Sequence, residues 1–166
     1  MDEISVIGIG KLGLCFSLSL DRAGYNVVGV DINAEYVNSI NDKSFATAEP
    51  QVNERLRNSK NFKATLDLNQ ALNHSHMIFV IVATPSLPNG RYDHSQIDAL
   101  VKEIKSRGPQ SDTKHLIMNC TTMPKYCETL AKDLEEYNWT VTYNPEFIAQ
   151  GTIIRDQENP DMVLIG

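Results

Sequence analysis

The sequence predicts a doubly wound α/β fold, a mostly parallel sheet with helices on both faces. Three observations carry that expectation. Short β-branched apolar runs alternate with amphipathic segments along the whole chain. The runs that start at Ile4 and Met77 are apolar at successive positions, as strands covered on both faces should be. No repeat, low-complexity tract or linker breaks the alternation, and 166 residues make one ordinary domain. Such sheets close with right-handed crossovers and take their ligands beyond the carboxyl ends of the strands.

The elements follow in order. A first strand at Ile4 to Gly8 runs into "GIGKLG" and a helix from Lys11 to Ala23. Leu12, Phe16 and Leu20 share one face of that helix, and Gly24 is placed to cap its end. A second strand, Asn26 to Asp31, precedes helices at Ala34 to Asn41 and Gln51 to Asn58. The third strand is expected at Phe62 to Asp67, a short helix at Leu68 to Asn73, and the fourth strand at Met77 to Thr84. Ser95 can cap a helix reaching Ser106, whose Ile97, Leu100, Val101 and Ile104 face inward. A fifth strand spans His115 to Thr121. Pro124 suits the first position of a helix reaching Tyr137, because a first-turn N–H has no partner to lose. The sixth strand is expected at Trp139 to Asn144, and a seventh at Asp161 to Gly166.

Composition excludes several classes. A net charge of −6 argues against a nucleic-acid partner, which needs a basic face for counterion release. It leaves a dinucleotide open, because a helix N-terminus can hold two phosphates without a basic surface. The longest apolar run, Met77 to Ala83, is too short to span a membrane, and the start lacks a secretory leader's basic flank. Cys15, Cys120 and Cys127 form no paired motif and suit a reducing cytoplasm. His74 and His76 lack the further ligands of a metal site, so they read as strand-edge polarity and no metal is expected.

The chemistry begins at the first turn. Gly8, Gly10 and Gly13 match G-x-G-x-x-G in a strand-turn-helix setting. The first glycine permits the tight turn, the second lets backbone approach a pyrophosphate, and the third lets helix pack on strand. The helix N-terminus then offers N–H groups and partial positive charge, with Lys11 and Leu12 in its first turn. Lys11 either meets phosphate or reaches solvent. Asp31 ends the second strand, where an acid accepts from ribose hydroxyls and repels a 2′-phosphate. The expectation is therefore a Rossmann-like domain that binds NAD rather than NADP.

Later strand ends are more polar than a sheet requires. They read "ATPS", "CTTMP" and "YNPEF", and place Thr84, Thr121, Thr122 and Glu146 on the cofactor side. Each threonine can equally be a hydroxyl that satisfies a turn. Glu146 can orient a water or bind a substrate hydroxyl. Asp93 and Ser95 lie in a long loop that either covers the site or merely wanders.

Taken together, "GIGKLGL", "VDIN", "ATPS", "TTMP" and "YNPEF" resemble, in order and spacing, the NAD-binding domain of the UDP-glucose/GDP-mannose dehydrogenase family. The resemblance covers essentially the whole chain. It implies a parent enzyme that oxidises the C6 alcohol of a nucleotide sugar twice, to the acid, reducing two NAD and feeding polysaccharide precursor synthesis. A cysteine thiol would hold the intermediate as thiohemiacetal and then thioester. By position, Gly8 to Gly13, Asp31, Thr84 and Thr122 are implied as NAD contacts. Thr122 would also position the catalytic water, and Glu146, Phe147, Ile148 and Gln150 would lie along the sugar nucleotide.

Two positions depart from the family pattern. Gln150 stands where many members carry a second acid that assists thioester hydrolysis; an amide hydrogen-bonds water but cannot take its proton. Tyr36 stands where members commonly place a basic residue near the adenosine. The resemblance also places the nucleophilic cysteine, a dimer-forming helix and a C-terminal nucleotide-binding domain beyond Gly166. Residues 1–166 thus read as the NAD-binding domain of a homodimeric parent, inactive alone. Two other readings stay open: a two-electron hydroxy-acid-type dehydrogenase, which needs no cysteine, and an NAD-binding module without catalysis.

Overall fold

The computed structural model describes residues 2–166. Six strands form one sheet in the order β3-β2-β1-β4-β5-β6. They are β1 (Glu3–Ile7), β2 (Asn26–Val30), β3 (Phe62–Thr65), β4 (Met77–Val80), β5 (Lys114–Met118) and β6 (Trp139–Tyr143). Every pairing is parallel; Ile4 faces Val27 of β2 on one side and Met77 of β4 on the other. The helices are α1 (Lys11–Ala23), α2 (Ala34–Asn41), α3 (Val52–Asn58), α4 (Leu68–His74), α5 (Ser95–Ser106), α6 (Tyr126–Glu135) and α7 (Ile153–Glu158).

The central strands are apolar at successive positions because both faces are covered. Ile4 and Val6 join a core with Leu14 and Leu18 of α1, Leu56 of α3 and Ile153 of α7. Ile7 belongs to the opposite core, with Leu72, Ile97, Leu116 and Leu134. Alternation of side chains along the strand sends neighbours to opposite layers. Ser5, also on the second side, is fully buried and donates to the Ala71 carbonyl at 2.7 Å. The order reverses between β1 and β4, so the crevice at their carboxyl ends is the switch point where such sheets bind ligands.

Several boundaries differ from the sequence reading. The fourth strand stops at Val80, not Thr84: β1 has turned away at Gly8, and Asn119 N–H has taken the Val80 carbonyl at 3.0 Å. Helix α5 keeps its expected bounds, Ser95 to Ser106, but Ser95 is its first residue rather than its cap, and its N–H goes to Asp93 Oδ1 at 2.8 Å. Pro124 lies in the turn before α6, and Lys125, at φ 68°, is the N-cap. Gly24 does cap α1, at φ 97°.

The largest difference is at the end of the chain. Asp161 to Gly166 is not a strand; Tyr143 and Gly166 alone exchange backbone hydrogen bonds, at 2.7 and 2.9 Å, in the reciprocal pattern of an antiparallel pair. Ahead of it stands α7, which no pattern in the sequence announces. Its six residues bury only Ile153 and Ile154, too short a periodicity to register.

Candidate functional site

The switch-point crevice opens over the glycine turn. Gly8 sits at φ 90°, and its N–H donates to the Val30 carbonyl at 2.9 Å. A Cβ at Gly13 would lie 1.9 Å from the Gly8 carbonyl oxygen, so only glycine lets α1 come down onto the turn. Gly10 is different: a Cβ there would meet no protein atom within 4 Å. Nothing in the fold requires glycine at that position, and the space beside it is open to a ligand. No side chain caps α1 and no acid stands in its first turn, so the N–H groups at its start face the crevice unopposed. That combination fits a dinucleotide pyrophosphate.

Around the turn is a cleft of about 490 Å³. Gly8, Gly10, Lys11 and Leu12 form its floor, and Asp31 and Ile32 close the β2 side. The chain leaving β4, Ile81 to Thr84, and the chain leaving β5, Asn119 to Thr121, form the other walls with Gln96 and Glu146. Asp31 Oδ1 accepts the Asn33 N–H at 3.0 Å, which fixes the carboxylate at the cleft rim. Tyr36, the departure from a basic residue, serves the fold. Its hydroxyl donates to the Ile9 carbonyl at 2.8 Å, its ring meets Phe45 edge-on, and burial raises its pKa.

The expected residues divide into groups. Gly8, Gly10, Lys11, Leu12, Asp31, Thr84 and Glu146 line the cleft, and Gly13 is buried beneath it. Thr122 is not among the lining residues; its Oγ1 lies 3.6 Å from Cys127 Sγ, and Thr121 faces the cleft instead. Phe147 and Ile148 line a smaller cavity of about 120 Å³ with Phe16, Asn144 and Gln157. Glu146 borders both spaces. Gln150 is exposed and its Oε1 accepts from Lys11 Nζ at 3.2 Å, so Lys11 takes a third course besides phosphate and solvent.

The Glu146 carboxyl is pushed above its ordinary value by burial, and the hydrogen bonds from Gln157 oppose the rise. Gln157 Nε2 lies 3.2 and 3.0 Å from the two carboxylate oxygens. Burial also pushes the Cys15 and Cys120 thiols up to about 12, so neither is a thiolate at neutral pH. His74 and His76 bind backbone oxygens, of Asn26 and Thr113. Asp93 flanks a bridge between Ser86 and Tyr92, and its N–H donates to the Pro85 carbonyl at 2.8 Å.

Three features lie outside the sequence reading. Ile32 is an apolar residue 93% exposed in the turn after Asp31. An isoleucine where a turn former is expected was the available signal. Glu49 accepts from Gly151 N–H at 2.8 Å and Ile153 N–H at 2.9 Å, capping α7 from about a hundred residues away. Arg55, 9% exposed, binds both oxygens of Glu158 at the other end of α7, at 2.6 and 3.1 Å. No local pattern announces either contact.

The turn, the carboxylate at the second strand end and the switch-point cleft define a dinucleotide-binding domain. The chain belongs to the UDP-glucose/GDP-mannose dehydrogenase family, whose NAD binding domain is matched over residues 2–166. NAD is thus the cofactor of this domain. GDP-mannose 6-dehydrogenase of Pseudomonas aeruginosa is 28% identical over 176 residues, spanning 99% of this chain and 40% of that protein. A crystal structure of a ternary complex of GDP-mannose dehydrogenase from that organism superposes with a TM-score of 0.90 at 26% identity, over 98% of this chain and 40% of the other. A UDP-glucose dehydrogenase from Pyrobaculum islandicum does so with a TM-score of 0.88 at 25% identity, over 100% and 40%. The chain spans about two fifths of the length of these dehydrogenases.

Proposed function

We propose that this chain is the cofactor-binding part of an NAD-dependent nucleotide-sugar 6-dehydrogenase, which oxidises the C6 alcohol of a UDP- or GDP-sugar to the carboxylate. The observation that carries the reading is the cleft itself: space beside Gly10, the bare start of α1, and Asp31 at the far rim, together in a chain of this family. NAD supplies the acceptor for hydride, and each of the two oxidations consumes one. The residues of this chain bind and orient. The first turn of α1 holds the pyrophosphate, Asp31 takes the ribose hydroxyls, and Ile32 offers the adenine an apolar surface. Thr84 and Thr121 face the nicotinamide end, and Thr122 positions water after a rotation away from Cys127.

Glu146, with Phe147, Ile148 and Gln150, forms the sugar side. The Glu146 carboxylate accepts from a substrate hydroxyl or from the water that discharges the acyl intermediate. Gln150 holds that water without taking its proton. The thiol nucleophile, a dimer-forming helix and a second nucleotide-binding domain belong, on this reading, to the part of the parent that matches the rest of its relatives. The parent acts as a homodimer in the cytoplasm, and residues 1–166 alone bind NAD without turnover. Among the described residues no helix is long and apolar enough to cross a membrane.

The deciding experiment counts NADH formed per sugar by the full-length parent across UDP-glucose, GDP-mannose and N-acetylated UDP-hexosamines. Two per sugar is the expected result. One per sugar would point to a simple alcohol dehydrogenase, and none, with NAD still bound, to a binding module.

A further inference from the structure

We propose that Gln157 is the positioning residue of the Glu146 carboxylate, fixing it between the cofactor cleft and the smaller cavity. The proposal rests on the reading of Glu146 as a site carboxylate. Nε2 of Gln157 lies 3.2 and 3.0 Å from the two Glu146 oxygens and 3.4 Å from the carbonyl of Leu12, in the first turn of α1. One amide nitrogen therefore ties the acid after β6 to the helix that starts the glycine turn.

The amide orientation follows from charge. Gln157 Oε1 is buried without a partner. Turning the amide over would set that oxygen against the two oxygens of an ionised carboxylate and the Leu12 carbonyl, whereas in the observed orientation two N–H hydrogens are shared among the three acceptors. A buried acceptor without a partner costs free energy, and this orientation carries that cost. Gln157 is held in turn by α7, which Glu49 clasps at one end and Arg55 at the other, with Ile153 and Ile154 buried between.

Nothing else near Glu146 does the same task. No cation pairs with it among the described residues. From α1 the titratable neighbours are Cys15, a neutral thiol at neutral pH whose own rise is due first to burial and then to Glu49 and Glu146, and Lys11, which shares the cleft lining but binds Gln150. Asp31 lines the same cleft, and Asp156 of α7 shares the smaller cavity but is bound by Thr152; the contact that α7 makes with the carboxylate is through the uncharged Gln157. Burial drives Glu146 towards the neutral acid, and the hydrogens of Gln157 oppose it.

The test is a carbon-13 and nitrogen-15 NMR titration of the labelled 166-residue chain. In the wild type, the side-chain amide resonances of Gln157 are expected to move with the same midpoint as the Glu146 carboxyl. In Gln157→Leu and Gln157→Asn, whose side chains remove or withdraw the donor, the Glu146 midpoint is expected to rise while that of Glu128 stays. Gln157 resonances that ignore the Glu146 titration would overturn the proposal, and so would an unchanged midpoint in either folded variant. The wild-type arm decides the matter even if neither variant folds. NAD affinity, measured separately by calorimetry, reads the dehydrogenase assignment: a chain that binds no NAD sinks that assignment and leaves the link between Gln157 and Glu146 standing.

Discussion

The two walls of the site are built in opposite ways. The glycine turn, Gly8 to Gly13, is set by backbone sterics within six consecutive residues: a positive φ at Gly8 and a 1.9 Å approach at Gly13. The stretch from Asn144 to Glu158 turns locally at Gly151, at φ 94°, and Asp156 Oδ2 accepts from Thr152 Oγ1 at 2.6 Å. Its place against the rest of the fold comes from distant side chains, with Glu49 on the N–H groups of Gly151 and Ile153, Arg55 on Glu158, and Asn119 Nδ2 on the Asn144 carbonyl at 2.8 Å. A site can thus join one wall that is rigid by chain geometry to another that is held by removable contacts. The second is the wall assigned here to the substrate, where specificity has room to change.

The sharpest way to break the comparison is Gly13→Ala. Its methyl would meet backbone rather than a yielding side chain, so a loss of about 3 kcal/mol is expected, read as a fall in urea midpoint together with loss of NAD binding. An unaltered midpoint would show that α1 can shift off the turn. Arg55→Ala comes next. It removes two bonds to Glu158, one to Gln51 and one to Ser19 from a buried guanidinium. Glu158 is partly exposed, so the cost is about 2 kcal/mol, below that of a fully buried pair. Loosening should be confined to α7, seen as faster amide exchange there than in α1.

Gly10→Ala separates fold from ligand. Stability should hold within about 0.5 kcal/mol, while NAD affinity falls at least about tenfold, or roughly 1.4 kcal/mol, because the new methyl points into empty cleft. A matched loss of stability would mean that Gly10 serves the fold. Glu49→Ala should cost about 1 kcal/mol, the worth of a helix cap, and expose the Gly151 and Ile153 amides to exchange.

The smallest effect concerns Glu146→Gln, and its sign is specific. The folded-state pKa of Glu146 lies above its unfolded value, so its favourable contribution is present at low pH and is lost as pH rises through the folded midpoint. The variant should therefore be slightly more stable than the wild type at neutral pH, and the difference should vanish below the ordinary glutamate range. Melting curves across that window check it.

Much of the fold was legible because parallel strands covered on both faces announce themselves through unbroken apolar runs, as at Ile4 and Met77. The cofactor side was legible for a similar reason. Gly8, Gly13 and Asp31 are each dictated by local backbone geometry or by a strand end, and local rules survive into the tertiary structure. Pro124 shows the limit, since an αL residue at Lys125 moved a helix start by two positions, whereas the helix at Ser95 starts where expected and only its capping bond passed to Asp93.

By itself the sequence determined the doubly wound sheet, the switch-point cleft and the NAD-binding turn, because each follows from short-range periodicity or sterics. Only the tertiary structure decided that α7 exists, that Thr121 rather than Thr122 faces the cleft, that Lys11 reaches Gln150, and that Gln157 grips Glu146. Those outcomes depend on side chains from 11 to 139 positions apart meeting, on the surface for Lys11 and Gln150 and in partly buried space for Gln157 and Glu146. No local pattern encodes such meetings, because the partners come within reach only once the chain between them has folded.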